Sequence, residues 1–195
     1  MRPLRLAILI SGRGSNMVRL LEACKRPDYP AEPVLVLSNR PEAQGLAHAR
    51  DQGVETMSVD NKTFGKDREA FEREIDAALR ARDVDIIALA GFMRVLTPWF
   101  VARWRGRLIN IHPSLLPKYK GLDTHARAIE AGDDEAGCTV HFVNEGVDDG
   151  EIIAHARVPV LEGDTPETLA ARVLVAEHEL YPDALRTVCE RLSLA

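Results

Sequence analysis

Cysteine is scarce in this 195-residue chain: Cys24, Cys138 and Cys189 are odd in number and widely spaced. That pattern excludes a disulfide framework and a CxxC redox pair, and it reads as reduced thiols of a cytoplasmic protein. A basic excess is also missing. With 25 Lys and Arg against 30 Asp and Glu the formal charge is -5, so the footprint of a nucleic-acid binder is absent and small molecules are the expected partners. No run approaches the ~20 apolar residues needed to cross a bilayer. The start, "MRPLRLAILISGRGSN", has a basic flank and a short apolar run but no small-residue cleavage site, so it reads as a first buried strand. Repeats, low-complexity tracts and linkers are lacking, which leaves one domain over 1–195.

What is present is a rhythm. An apolar run at 4–10 precedes a helical pattern at 15–25, then an extended run at 33–38. The rhythm repeats as helix 42–53, extended 54–59, helix 67–82, buried strand 85–91 and strand 107–112. Continuous apolar runs, in place of alternation, suit strands covered on both faces, and so predict a mostly parallel α/β sheet. After 112 the pattern changes. The stretch 138–160 alternates around a turn at 148–150, which predicts an antiparallel hairpin appended to the sheet. A final helix over about 165–191 opens with "DTPE", a cap followed by Pro and Glu in the first turn.

Three stretches carry candidate chemistry. "SGRGSN" lies between the first strand and its helix, where glycines allow close backbone approach and free N–H groups favour an anion such as phosphate. It is neither the dinucleotide fingerprint nor a P-loop, and a plain capped turn explains it equally well. In "RLINIHPSLLPKYKG", Asn110 and His112 stand two apart on a strand and share a side at its carboxyl end, where open α/β sheets bind ligands. An amide and an imidazole facing one space can stabilise an oxyanion and move a proton, although a hydrogen-bonded turn histidine is the commoner case. Pro113 and Pro117 would stiffen the backbone behind them. In "HFVNEGVDDGEII", Asp148 and Asp149 sit where Asp favours turns, yet a carboxylate returned beside His112 could orient the ring and favour its charged form. His48 and His178 fall on helical segments, and His125, His141 and His155 have no ligand spacing, so no metal is expected. "AGFMRVLTPWF" reads as core packing with a surface Arg94, or as the wall of a pocket.

Taken together, "SGRGSN", "AGFMRVLTPWF", "NIHPSLLPKYKG", "HFVNEGVDDGEII" and "AEHELYP" resemble, in order and approximate spacing, the phosphoribosylglycinamide formyltransferase family, over essentially the whole chain. The resemblance implies a single-domain Rossmann-like formyltransferase fold. It also implies transfer of a formyl group from 10-formyltetrahydrofolate to the amino group of glycinamide ribonucleotide (GAR) in purine biosynthesis, without metal, in a cytoplasmic monomer or homodimer. By motif match it makes Asn110, His112 and Asp148 catalytic. Gly14, Ser15 and Asn16 would hold the substrate phosphate and Glu177 the ribonucleotide. Met93, Arg94, Val95, Leu96 and Val143 would line the folate pocket, with Arg68 facing the folate's glutamate tail. Two positions depart from the family: Asp149 stands where many members have Gly, and Asp123 where some have His. The seven-residue interval from His141 to Asp148 matches the family and selects Asp148 over Asp149. Relatives with the same donor differ in build: formyltetrahydrofolate deformylases usually carry an amino-terminal regulatory domain, and methionyl-tRNA formyltransferase a carboxyl-terminal nucleic-acid-binding domain. A non-catalytic folate or nucleotide binder would not need the Asn110, His112 and Asp148 set.

Overall fold

The computed structural model describes residues 2–194; Met1 and Ala195, the ends of the expected domain, lie outside the described residues. The apolar runs become strands β1 (Leu4–Ile10), β2 (Ala31–Ser38), β3 (Thr56–Ser58), β4 (Ile86–Leu89) and β5 (Leu108–His112). Two further strands follow, β6 (Glu135–Phe142) and β7 (Ile152–Pro159). They form one sheet in the order β3-β2-β1-β4-β5-β6-β7. Strands β1 to β5 pair in parallel, while β6 and β7 pair antiparallel. The mostly parallel sheet with a carboxyl-terminal antiparallel addition is therefore as the sequence predicts.

Helices α1 (Ser15–Cys24), α2 (Gln44–Asp51), α3 (Arg68–Arg80), α4 (Pro98–Arg103), α5 (Thr124–Glu130) and α6 (Pro166–Leu194) cover both faces. Because successive strand residues point to opposite sides, β1 feeds two cores. Leu6, Ile8 and Ile10 join a cluster with residues of α1, α2, α5 and α6. Ala7 and Leu9 join another with Phe71 and Ile75 of α3 and Phe100 of α4. On β5 the same alternation sends Ile109 and Ile111 into the first cluster and Leu108 toward the second. Asn110 and His112 therefore share the Leu108 side, just past the end of its packed core. Between α3 and α4, the buried Asp76 carboxylate accepts from the Trp104 indole at 3.0 Å and pairs with Arg103 at 3.2 Å.

Differences from the sequence reading have local causes. Helix α4 has six residues and α5 seven, too few turns for a 3.6-residue pattern to stand out. The hairpin is wider than expected, because residues 143–151 form a folded loop in place of a tight turn at 148–150. Asn144 closes that loop, its Oδ1 accepting from Gly146 N–H at 3.0 Å and its amide donating to the Asp149 carbonyl at 3.1 Å. Helix α6 begins at Pro166 behind Thr165, whose hydroxyl accepts from Thr168 N–H at 3.3 Å while Thr168 Oγ1 accepts from Thr165 N–H at 2.9 Å. That reciprocal pair is a capping box with Thr at its third position. No described helix is long and apolar enough to cross a membrane.

Tyr181 of α6, with no exposed surface, fastens this helix to the sheet by donating its hydroxyl to the Leu89 carbonyl at 2.8 Å. Tyr181→Phe keeps the ring but removes that donor, while the Leu89 carbonyl stays in the β4–β5 ladder. We expect it to lower stability by about 0.5–1.5 kcal/mol, the net worth of one hydrogen bond. Urea unfolding checks this; an unchanged midpoint would show that the bond contributes nothing net.

Candidate active site

The strand order reverses between β1 and β4, which opens a crevice at their carboxyl ends. Ser11, buried there, joins the loops on either side. Its N–H donates to the Gly91 carbonyl at 3.1 Å, its hydroxyl accepts from Met93 N–H at 2.8 Å and donates to Asn39 Oδ1 at 2.5 Å. Gly14 caps α1 in the left-handed region, φ 72°, and no side chain caps the helix. The free N–H groups of that first turn are therefore left facing the crevice mouth, an anion-binding arrangement. A side chain at Gly14 would be strained and its Cβ would meet the Met17 methyl at 2.9 Å. Gly45 N–H donates to the Gly12 carbonyl at 3.0 Å, and a Cβ on Gly45 would strike Ile10. This packing partner of the loop was not foreseen.

Asn16 and Glu177, distant in sequence, meet where α1 packs on α6: the amide donates to Glu177 Oε2 at 2.7 Å. Both are buried, and Asn16 Oδ1 has no partner among the described residues. Burial raises the Glu177 carboxyl above its ordinary value, with the Asn16 bond opposing. Ser15 is exposed beside them.

At the end of β5, Asn110 and His112 meet two groups supplied from across the antiparallel junction. Register pairs Asn110 with His141 and His112 with Thr139. Asn110 Nδ2 lies 3.3 Å from His141 Nε2. His141 Nδ1 lies 2.9 Å from the Phe142 carbonyl, so that nitrogen donates, and Nε2 sits between the Asn110 amide and Asp148 Oδ1, accepting from Asn110 when unprotonated and donating to Asp148 when protonated. His112 Nδ1 faces Asp148 Oδ2 at 3.3 Å, and its Nε2 faces the Tyr119 carbonyl at 2.9 Å. Both ring nitrogens thus meet oxygen acceptors, an arrangement that a doubly protonated ring satisfies completely. Asp148 Oδ1 is 3.7 Å from His141 Nε2, and Oδ2 accepts from Gly121 N–H at 2.9 Å. Burial alone would raise the Asp148 carboxyl, yet the His141 ring, the Gly121 N–H and the His112 charge outweigh it and hold it below its ordinary value. Asp148 reaches the ring from a left-handed backbone, φ 49°. Asp149 instead turns outward to an exposed ion pair with Lys120.

The loop 91–97 borders the same face. Met93 and Val95 are exposed, Leu96 is buried, and the Arg94 guanidinium lies 5.8 Å from the Phe71 ring centroid. Two α3 side chains hold this loop. Arg68 donates to the Val95 carbonyl, and the buried Glu72 carboxylate accepts from Thr97 N–H at 2.7 Å and from its hydroxyl. Val143 is tied to β5 through a 2.9 Å bond to the Leu108 carbonyl. The structure therefore gathers the sequence-predicted residues into two neighbouring groups on one sheet edge, Gly14, Ser15, Asn16 and Glu177 in one, Asn110, His112 and Asp148 in the other. Arg68, Met93, Arg94, Val95, Leu96 and Val143 lie along the second core's rim. His141, set aside in the sequence reading, is a member of the second group. Its signal was the alternation that puts Thr139 and His141 on one side of β6. No group of three or more metal-ligating side chains occurs among the described residues.

Comparison with known proteins agrees with this fold. The family model described as Formyl transferase matches residues 4–185. Phosphoribosylglycinamide formyltransferase of Escherichia coli is 45% identical over 179 residues, covering 92% of this chain and 84% of that protein. The trifunctional purine biosynthetic protein adenosine-3 of Drosophila melanogaster is 50% identical over 183 residues, covering 93% of this chain. The chain spans only 14% of that longer relative. The crystal structure of phosphoribosylglycinamide formyltransferase from Brucella melitensis superposes with a TM-score of 0.92 at 53% identity, covering 96% of each chain.

The raised Glu177 carboxyl has a thermodynamic sign. Its contribution to stability is fully present below its unfolded value near 4.5 and is lost as pH rises through the higher folded value. Glu177→Gln removes the cost of holding a buried charge at high pH. The variant should therefore melt above the parent protein at pH 8, with the gap closing toward pH 4. Thermal melts at the two pH values decide it, and a pH-independent gap would place the effect elsewhere.

Proposed function

The chain belongs to the formyl transferase family, and from that premise we propose that it transfers the formyl group of 10-formyltetrahydrofolate to the amino group of GAR, a step of purine biosynthesis, in the cytoplasm. The observation that carries the proposal is the convergence of Asn110, His112 and Asp148 beside a glycine loop at a topological switch point.

Each group has a task that follows from its surroundings. The uncapped first turn of α1, reached through Gly14, Ser15 and Asn16, offers N–H donors to the ribonucleotide phosphate. Glu177, held by Asn16, faces the ribose side. Exposed Met93 and Val95, with Arg94, Leu96 and Val143, line the folate side, and Arg68 keeps donors free for a carboxylate of the tail beyond its bond to Val95. As the amine attacks, charge grows on the formyl oxygen. Asn110 Nδ2 carries two N–H donors, and with one turned to His141 the other can meet that oxygen. The His112 Nδ1–H is only loosely held at 3.3 Å by Asp148, longer than a charge-assisted hydrogen bond, so it can be shared with that oxygen. Asp148 stays ionised, balances the imidazolium and sits where a proton leaving the amine can be relayed through the ring or a water to the departing folate nitrogen. Holding both substrates on one rigid edge makes the encounter effectively unimolecular.

The direct test follows tetrahydrofolate release with and without GAR. Release that requires GAR is expected; equal release without it would make the enzyme a hydrolase. Asp148→Asn keeps the shape but removes the charge, and should lower kcat by roughly two to four decades with small changes in KM. Asn110→Ala should cost on the order of 10²–10³ in kcat as a lost oxyanion donor. Asp149→Asn disturbs only an exposed ion pair and should be mild. Retained turnover in Asp148→Asn would remove this carboxylate from the reaction.

Arg68 gives a separate readout. Arg68→Ala should raise KM for a donor with a glutamate tail more than for one lacking glutamate. An equal penalty for both donors would show that Arg68 acts through the Val95 carbonyl alone.

A further inference from the structure

The acceptor opposite the His112 Nε2 is a main-chain carbonyl, Tyr119 O, and that residue has a left-handed backbone, φ 53°. A non-glycine residue resists this conformation, so something must hold it there. Packing is an incomplete answer, since a cavity of about 10 Å³, lined by Ser114, Tyr119, His125 and Asp133 among others, lies beneath the loop. Polar links supply the rest. The Tyr119 hydroxyl donates to Asp133 Oδ2 at 2.7 Å, and the Lys118 ammonium reaches Asp133 Oδ1 at 3.0 Å. Arg127 lies 5.2 Å from the Tyr119 ring centroid and donates to the Lys120 carbonyl at 2.7 Å. Ser114 Oγ donates to the Lys118 carbonyl at 2.6 Å.

We propose that Asp133, through the Tyr119 hydroxyl, is a positioning residue that aims the Tyr119 carbonyl at His112 Nε2 and so fixes the imidazole against Asp148. Asp133 touches neither substrate site; it follows α5, and its carboxylate acts at the far side of the Tyr119 ring from the carbonyl it steers. The link is a lever: a ring anchored at its hydroxyl and covered by Arg127 cannot rotate out, and its backbone cannot relax to the ordinary region. The consequence for catalysis rests on the reading that His112 takes part in formyl transfer.

The test combines turnover with NMR observation of the His112 Nε2 proton in the whole enzyme. Tyr119→Phe keeps the ring and removes only the anchor; Asp133→Ala removes the acceptor. Each should lower kcat roughly tenfold, with KM for either substrate changed less than about twofold, as expected of a small misplacement of a catalytic group. In both, the Nε2 proton should exchange with solvent about tenfold faster than in the parent protein. The double variant should be no worse than the worse single one, because both act through one bond. Arg157→Met, which removes an exposed ion pair with Glu135 outside this network, should leave turnover and exchange unchanged. Unchanged exchange in Tyr119→Phe and Asp133→Ala overturns the proposal, whether or not turnover falls. If His112→Ala itself turned over normally, the functional reading would fall, and the exchange comparison would still decide the positioning.

Discussion

The antiparallel pairing of β5 with β6 is the constraint on which the site depends. Up to β5 the sheet is parallel, and a parallel neighbour would return only after a crossover. An antiparallel β6 instead lays His141 directly beside Asn110 and Thr139 beside His112. A slip of one residue would turn every β6 side chain to the other face and carry His141 into the first core. Thr139 helps to exclude that slip, since its hydroxyl donates to the Ser114 carbonyl at 2.7 Å and accepts from Leu116 N–H at 3.1 Å. The same side chain therefore pins the register and the loop that leaves β5.

Two carboxylates, half-buried Asp148 and buried Glu177, show how the fold assigns different states to one functional group. Asp148 and Glu177 both lose solvent, and burial pushes both carboxyls upward. Asp148 has the His141 ring, a main-chain N–H and the charge of His112 to oppose burial, so its carboxyl ends below the ordinary range. Glu177 has one amide donor from Asn16, and burial prevails. The difference lies in the number and charge of donors within reach. Asp148 gains its donors by standing on a left-handed loop residue that turns the carboxylate back over the sheet edge.

The central strands were legible because the apolar runs at 4–10, 85–91 and 107–112 are buried on both faces and leave no other reading. The shared side of Asn110 and His112 was legible too, since it needs only the two-residue period of a strand. Which aspartate lies beside His112 came from the family's interval after His141 and not from local pattern: Asp148 and Asp149 are adjacent, and only the folded loop sends one inward and the other to Lys120. His141 was missed for a related reason, because its meaning lies in a cross-strand partner and not in its own neighbours. Helices α4 and α5 escaped notice through shortness. For α5 the entry residue, Asp123, is left-handed at φ 55° and gives no side-chain cap to announce the helix.

Both loops that border the crevice are seated on one residue. Ser11 holds the Gly91 carbonyl and the Met93 N–H, while its own chain continues into the glycine turn that opens α1. On the other side α3 fixes the 91–97 loop twice, through Arg68 at Val95 and through Glu72 at Thr97. The loop is thus tied at three points to elements of the rigid frame, and of its large apolar side chains Met93 and Val95 remain exposed. A segment so constrained presents apolar side chains without the ordering cost that a free loop would incur on binding. Polar groups buried for this purpose would otherwise weaken the fold, yet Ser11 and Glu72 each find partners for their buried oxygens. The crevice can therefore be polar in its supports and apolar in its lining, a combination that suits a flat ligand with charged ends.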